Sequence, residues 1–363
     1  MGQPVIIGGA PVVSLQAIDA PAAGPAFLSA DVLPGRGFML LRAGLRLPSG
    51  EMVDGVRGPA PEAAAKALDG GPDDFAGNAS FSFGGAILAP YANRIRGRDV
   101  PGAREIETEV DGATVRLPRN WGGKAPGAAQ YAMHGLILET PVAWEQPAPH
   151  RATGRLDAGD FGGRWPSRSA FAFEWRLERG ALVLAVTVRN AGDEPLPMGL
   201  GWHPYFAIPS GQRAQARLRL PAAQRVEVDD YDQVLPTGRL LPTVGSAYDF
   251  NGADGRGLGE LYLDDCFTGL GRERGQAVVE LTDPTAGLGL RISSPTPQVR
   301  AVQVYAPPDQ AFAAIEPQFN LADPFSDIWP PGVDTGMARL APGQSLAYEV
   351  RVEPFTLRNS TAD

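Results

Sequence analysis

Five short stretches of this chain place polar side chains inside apolar surroundings, the setting in which proton transfer is done. They are Pro90-Tyr91-Ala92-Asn93-Arg94-Ile95, Tyr131-Ala132-Met133-His134-Gly135, Met198-Gly199-Leu200-Gly201-Trp202-His203-Pro204-Tyr205-Phe206, Leu263-Asp264-Asp265-Cys266-Phe267 and Ala313-Ala314-Ile315-Glu316-Pro317-Gln318. His203 is central. A histidine with an ordinary pKa of about 6.5 in an aromatic run is either a neutral, hydrogen-bonded core group or a proton carrier. Each stretch also has a plain structural explanation. Arg94 would pair with a carboxylate, Asp264 would cap a turn, and Glu316 would sit on a solvated strand end. Sheet faces nevertheless bring together residues distant in sequence, so all five could converge.

Other chemistries find little support. The three histidines, His134, His150 and His203, have no metal-ligand spacing between them and Cys266 stands alone, so no zinc site is expected. Cys266 reads as a small buried hydrophobe, and a single cysteine excludes an intrachain disulfide. There is no Gly-x-Ser-x-Gly elbow and no phosphate-cradling Gly-Lys-Ser/Thr loop. Proton transfer by His, Asp and Glu is what remains.

The elements that must position these groups read as strands. Phe171, Phe173, Trp175 and Leu177 alternate with smaller or polar residues, and Leu182, Leu184, Val186 and Val188 repeat the pattern after a turn at Arg179-Gly180. Arg104 to Val110 and Ala113 to Leu117 flank Asp111-Gly112, a favoured hairpin turn. Further strands are expected at 38–41, 216–220, 225–228, 277–281, 288–293, 299–305, 312–315 and 346–352. One helix is expected at Pro61 to Leu68, and 69–85 reads as loop. Residues 1–35, rich in Ala, Gly and Pro, read as loosely structured with one strand. With 45 Gly and 35 Pro in 363 residues and no βαβ rhythm, the expectation is one all-β antiparallel sandwich domain over 1–363.

A formal charge of −9 argues against nucleic-acid partners and against anionic membrane surfaces. No stretch reads as a signal peptide or a bilayer span, so a cytoplasmic location is expected.

Taken in order, Asn93-Arg94-Ile95, His134-Gly135, His203-Pro204-Tyr205-Phe206, Asp264-x-x-Phe267 and Glu316-Pro317-Gln318 resemble the aldose 1-epimerase (mutarotase) family. Gly163-Arg164-Trp165-Pro166 and Leu340-Ala341-Pro342-Gly343-Gln344 agree with it, and the likeness runs from about Phe83 to Pro354. The resemblance implies a large antiparallel β-sandwich of the galactose mutarotase-like type with its site in a groove across one sheet. It implies His203 as general acid and Glu316 as general base, with Asn93, Arg94, His134 and Asp264 binding the sugar. The reaction implied is interconversion of the α and β anomers of a free monosaccharide by ring opening, with no cofactor and in a monomer or homodimer. Ordinary pKa values would then give a bell-shaped pH profile, Glu316 setting the acidic limb and His203 the alkaline one.

Two departures from the family pattern, in the 117–134 stretch and in the 319–334 loop, are expected to reshape the pocket rim. A phosphorylated or otherwise anionic sugar would need extra cations there, for which Arg96, Arg98, Arg119, Lys124 and Arg164 are candidates. Two further classes stay open: a non-catalytic sugar-binding sandwich, and a glycosidase working through Asp264 and Glu316.

Overall fold

Two large antiparallel sheets are built from the alternating runs, in a computed structural model that describes residues 4–123 and 128–357. The hairpin of Ser169–Glu178 and Ala181–Asn190 forms in the expected register, with Trp175 opposite Leu184. Its turn residues Arg179 and Gly180 both take positive φ, 50° and 81°, which matches the twist of the flanking strands. This hairpin lies in a ten-stranded sheet with Ser345–Thr356, Leu288–Ser294 and Gln276–Asp283.

The second sheet has eleven strands and carries the stretches with chemistry. Its centre runs Leu263–Leu270, Ala301–Ala306, Phe312–Gln318 and Gly201–Ala207, in that order. Two tryptophans join the sheets. Trp175 from the first meets Trp202 from the second edge to face, with centroids 5.5 Å apart. Their indole N–H groups donate to the carbonyls of Phe38 and Gly85, so neither buried ring leaves a donor unsatisfied.

The expected helix forms over Pro61–Ala67. The N-terminal expectation needs correction. Instead of loose chain, described residues before 36 form strands Val13–Gln16 and Ala26–Leu33, which extend the second sheet beyond Met39–Arg46. Their alternation is blurred by two register shifts and by small residues, yet Leu15, Phe27 and Val32 are fully buried. Burial against neighbouring strands, which local propensity does not report, decides their structure.

The stretch read as loop after the helix is a series of 3₁₀ turns over Pro72–Phe81, kinked at Asp74 to Gly77. A buried ion pair holds it. Arg36 grips both carboxylate oxygens of Asp74, at 2.9 and 2.7 Å, and also donates to the Ser80 hydroxyl. Asp74 further accepts from the amides of Gly70 and Ala79. Replacing Asp74 by Ala strands a buried guanidinium. We expect urea denaturation to show a loss of about 3–5 kcal/mol, the usual effect of breaking one side of a buried pair.

Candidate active site

Strand pairing assembles the site. The register of Gly201–Ala207 on Phe312–Gln318, with Gly201 opposite Gln318 and Tyr205 opposite Ala314, brings His203 level with Glu316. On the next strand Gln303 is opposite Glu316, and Cys266 is opposite Gln303 one strand further. Asp264 lies two residues before Cys266 and so shares its face. A polar stripe thus crosses four neighbouring strands. Asp265 points the other way, where it is fully buried against Arg225 and accepts from the Tyr231 hydroxyl at 2.7 Å.

Arg94 opens the short strand Arg94–Ile95 and His134 follows its partner strand Gln130–Met133, and the ends of the two lock each other. The His134 amide donates to the Asn93 carbonyl at 2.9 Å, and the Asn93 amide donates to His134 Nδ1 at 3.2 Å. Both residues have positive φ, 62° and 64°, a conformation that Asn and His tolerate better than most. Gly135 follows at φ 89°, where a Cβ would lie 2.1 Å from the Ala89 carbonyl oxygen, so glycine is required.

Four side chains then close a ring of three hydrogen bonds and one ion pair. Arg94 donates to Asn93 Oδ1 at 2.8 Å, and Asn93 donates to Gln303 Oε1 at 3.0 Å. Gln303 donates to Asp264 at 2.6 Å, and Asp264 faces Arg94 across 3.6 Å. Arg94, His134, His203, Asp264, Gln303 and Glu316 all line one cavity of about 570 Å³, within the usual range for small-molecule sites. Asn93 is set one step behind, holding Arg94 and Gln303. His150 does not line the cavity. Gln303 escapes sequence reasoning; its one signal is a lone amide in the apolar strand Ala301–Ala306. The aromatic lining of Phe81, Tyr231, Tyr262, Tyr305 and Phe312 is likewise set by distant segments.

Burial governs the charges. His203 Nε2 is 3.4 Å from Glu316 Oε1, and the two residues are 5% and 1% exposed. Loss of water pushes His203 down to about 4 and Glu316 well above the ordinary glutamate value, Asp264 adding to the latter shift. The pair therefore holds one proton over a wide range. His134 is also pushed well down by burial, with the neighbouring His203 and Arg94 as further causes. Since its Nδ1 accepts from Asn93, its own proton is assigned to Nε2, a buried donor without a partner among the described residues. It is a neutral donor aimed into the cavity.

The ligand atoms of His134, His203 and Glu316 lie within 4.8 Å of one another, close enough to consider a metal. The tautomer of His134 opposes that role. A metal-ligating histidine donates its other N–H to an acceptor, whereas here Nδ1 receives a proton donor and Nε2 keeps the hydrogen.

Of the two departures, the 117–134 stretch does reach the rim, through Trp121 and Met133. The 319–334 loop does not line the cavity. It packs behind it, with Asp323 accepting from both the amide and the side chain of Arg96 and donating its own amide to the Arg94 carbonyl. The candidate cations are engaged elsewhere: Arg96 with Asp323, Arg98 with Glu107, Arg119 with Asp99 and Arg164 with Glu105. Lys124 lies outside the described residues. Among the described residues, Arg94 is the one Lys or Arg lining the cavity, beside Asp232, Asp264, Asp309 and Glu316.

Two outcomes follow from this geometry. Between the ordinary glutamate value of 4.5 and its raised folded value, Glu316 keeps a proton that the unfolded chain has lost, so its contribution to stability falls as pH rises. Glu316→Gln should therefore gain in melting temperature relative to the parent chain from about pH 4.5 upward, while losing activity. Asp265→Ala should lower unfolding free energy by about 3 kcal/mol by unpairing Arg225, whereas Asp264→Asn should chiefly lower kcat/KM. Equal catalytic damage from both would contradict the opposed faces.

A family model described as aldose 1-epimerase matches residues 59–353 of the chain. The fold is that of a GalM/aldose epimerase homologue from C. elegans, at TM-score 0.69 and 18% identity, over 96% of this chain and 99% of that one. A galactose mutarotase-like protein from Clostridium acetobutylicum superposes at TM-score 0.69 and 16% identity, covering 91% of this chain and 93% of its own. A galactose 1-epimerase from Lactobacillus acidophilus NCFM gives 0.63 and 17%, covering 96% and 98%.

Proposed function

The chain belongs to the aldose 1-epimerase family, and on that premise we propose that it interconverts the anomers of an uncharged free aldose by acid–base ring opening. One observation carries the reading: a buried His203–Glu316 pair, 3.4 Å apart, at the wall of a sugar-sized cavity. Opening a cyclic hemiacetal protonates the ring oxygen and deprotonates the anomeric hydroxyl. Both oxygens are bonded to one carbon, so the acid and base must be near neighbours, as these two are.

In the ring-closed complex, protonated His203 faces the ring oxygen and ionised Glu316 the anomeric hydroxyl. Transfer of both protons leaves neutral His203 and protonated Glu316 with the open aldehyde. That is the arrangement burial favours in the empty cavity. Rotation about the C1–C2 bond presents the other face, and the reverse transfers close the second anomer. Net charge in the pair is unchanged throughout.

The remaining residues orient the sugar. His134 donates through Nε2, while Arg94 and Asp264, tied together by Asn93 and Gln303, offer a donor and an acceptor for neighbouring hydroxyls. The preference for an uncharged sugar rests on the lining: one guanidinium already facing a carboxylate, with three further carboxyl groups around it. A phosphate would enter that field unfavourably.

Anomer exchange followed by NMR, across neutral and phosphorylated aldoses, tests this reading. His203→Asn should reduce turnover by about a hundredfold or more, the usual size of a general acid–base contribution. Exchange at the spontaneous rate with every aldose would overturn it. The kcat/KM profile should fall on the acid side near pH 4, where His203 takes a second proton. On the alkaline side it should fall well above the ordinary glutamate value, where the shared proton is lost. This order is the reverse of what ordinary pKa values give, and an acid limb near 6.5 would contradict it.

A further inference from the structure

The turn at 229–235 joins strand Ala222–Val228 to Pro236–Pro242 and supplies Tyr231, Asp232 and Val234 to the cavity wall. Two sets of groups that do not line the cavity hold it in place. Pairing of Ala222–Val228 with Leu263–Leu270 ends at Arg225 and Phe267. Past that point the Tyr231 hydroxyl reaches the side of Leu263–Leu270 opposite to Asp264. There it donates to Asp265 at 2.7 Å and accepts from Arg225 at 3.0 Å. The Arg225 guanidinium pairs with the same Asp265 oxygen and lies 3.8 Å from the Tyr248 ring centroid. The second anchor is Tyr131, fully buried, whose hydroxyl donates to the Gln233 carbonyl at 2.8 Å.

These bonds act against the turn's own preference. Val234, buried at the cavity wall, has φ 54°, a left-handed conformation that a branched Cβ makes unfavourable. Such strain persists only where the surroundings impose it. With its hydroxyl engaged by Asp265, Tyr231 offers the cavity a ring, steadied edge to face by Tyr262 with centroids 5.6 Å apart. A ring fixed in this way meets the C–H side of a pyranose without having to be ordered on binding.

We propose that Asp265 and Tyr131 are positioning residues for the sugar. Through the Tyr231 hydroxyl and the Gln233 carbonyl they fix the turn as a wall against which the pyranose is held. The adjacent carboxylates of one strand thus divide the work, Asp264 facing the sugar and Asp265 acting through Tyr231. This rests on the anomer-exchange reading for what the wall holds, though not for how the wall is anchored.

Tyr231→Phe and Tyr131→Phe each remove one hydroxyl and keep the ring. Either should raise KM for the aldose exchanged fastest about fivefold, equivalent to roughly 1 kcal/mol, with kcat within a factor of about two and the pH profile unmoved. Asp265→Ala should raise KM to a similar extent. In a Tyr231→Phe background it should add nothing further to KM, since the hydroxyl it acts through is gone. An unchanged KM in either Phe variant, a loss in kcat instead, or an Asp265→Ala effect that multiplies with that of Tyr231→Phe would overturn the proposal. If no aldose exchanges above the spontaneous rate, the catalytic reading fails by itself. Calorimetric titration with galactose and glucose then decides the role of the anchors: binding weakened by Tyr231→Phe supports it, and binding that is absent or indifferent to the substitution overturns it.

Discussion

Glu316 is a carboxyl group removed from water with no Lys or Arg in direct contact among the described residues, and much of the arrangement around it answers that constraint. Its Oε1 faces His203 and its Oε2 has no partner among the described residues. A carboxylate so placed would be costly alone, and burial therefore favours the protonated form. The same dryness keeps both cavity histidines neutral. The central strands deliver His203 and Gln303 to either side of Glu316 by register alone, without a mobile loop. Rigid strands hold such geometry more tightly than loops do.

The second support is the closed circuit of Asn93, Gln303, Asp264 and Arg94. It pairs the side chains of Asn93, Gln303 and Asp264 with one another and keeps Arg94 turned toward Asp264. Behind it, Asp323 clamps the backbone that carries Arg94. The long loop bearing Asp323 is therefore a buttress, although its position in the sequence suggests a rim.

The order of the motifs makes the family legible, and the residues at 94, 134, 203, 264 and 316, whose types are unusual within apolar strands, do converge on one cavity. The hairpin of 169–190 was legible from period-two alternation. What stayed hidden has a common cause. Strands Val13–Gln16 and Ala26–Leu33 are settled by what lies beside them, and small residues with two register shifts erase their local signal. Gln303 matters because Glu316 is across from it, a relation that exists only once the sheet is paired. The order in which His203 and Glu316 titrate depends on exclusion of water, which residue types do not encode.

The Asn93–His134 link has a consequence for how the site could change over time. The segments already pair as short strands, Arg94–Ile95 on Gln130–Met133, and the second link, amide to carbonyl and amide to imidazole with a left-handed residue at each joint, makes a rigid pin between the loops that flank them. Insertions on the outer flank of either loop leave the pin in place, so the groove's mouth is free to diversify. A change at the pin itself would shift the His134 donor and the Arg94 guanidinium together. The periphery of the groove can thus drift while its inner polar groups change only as a block.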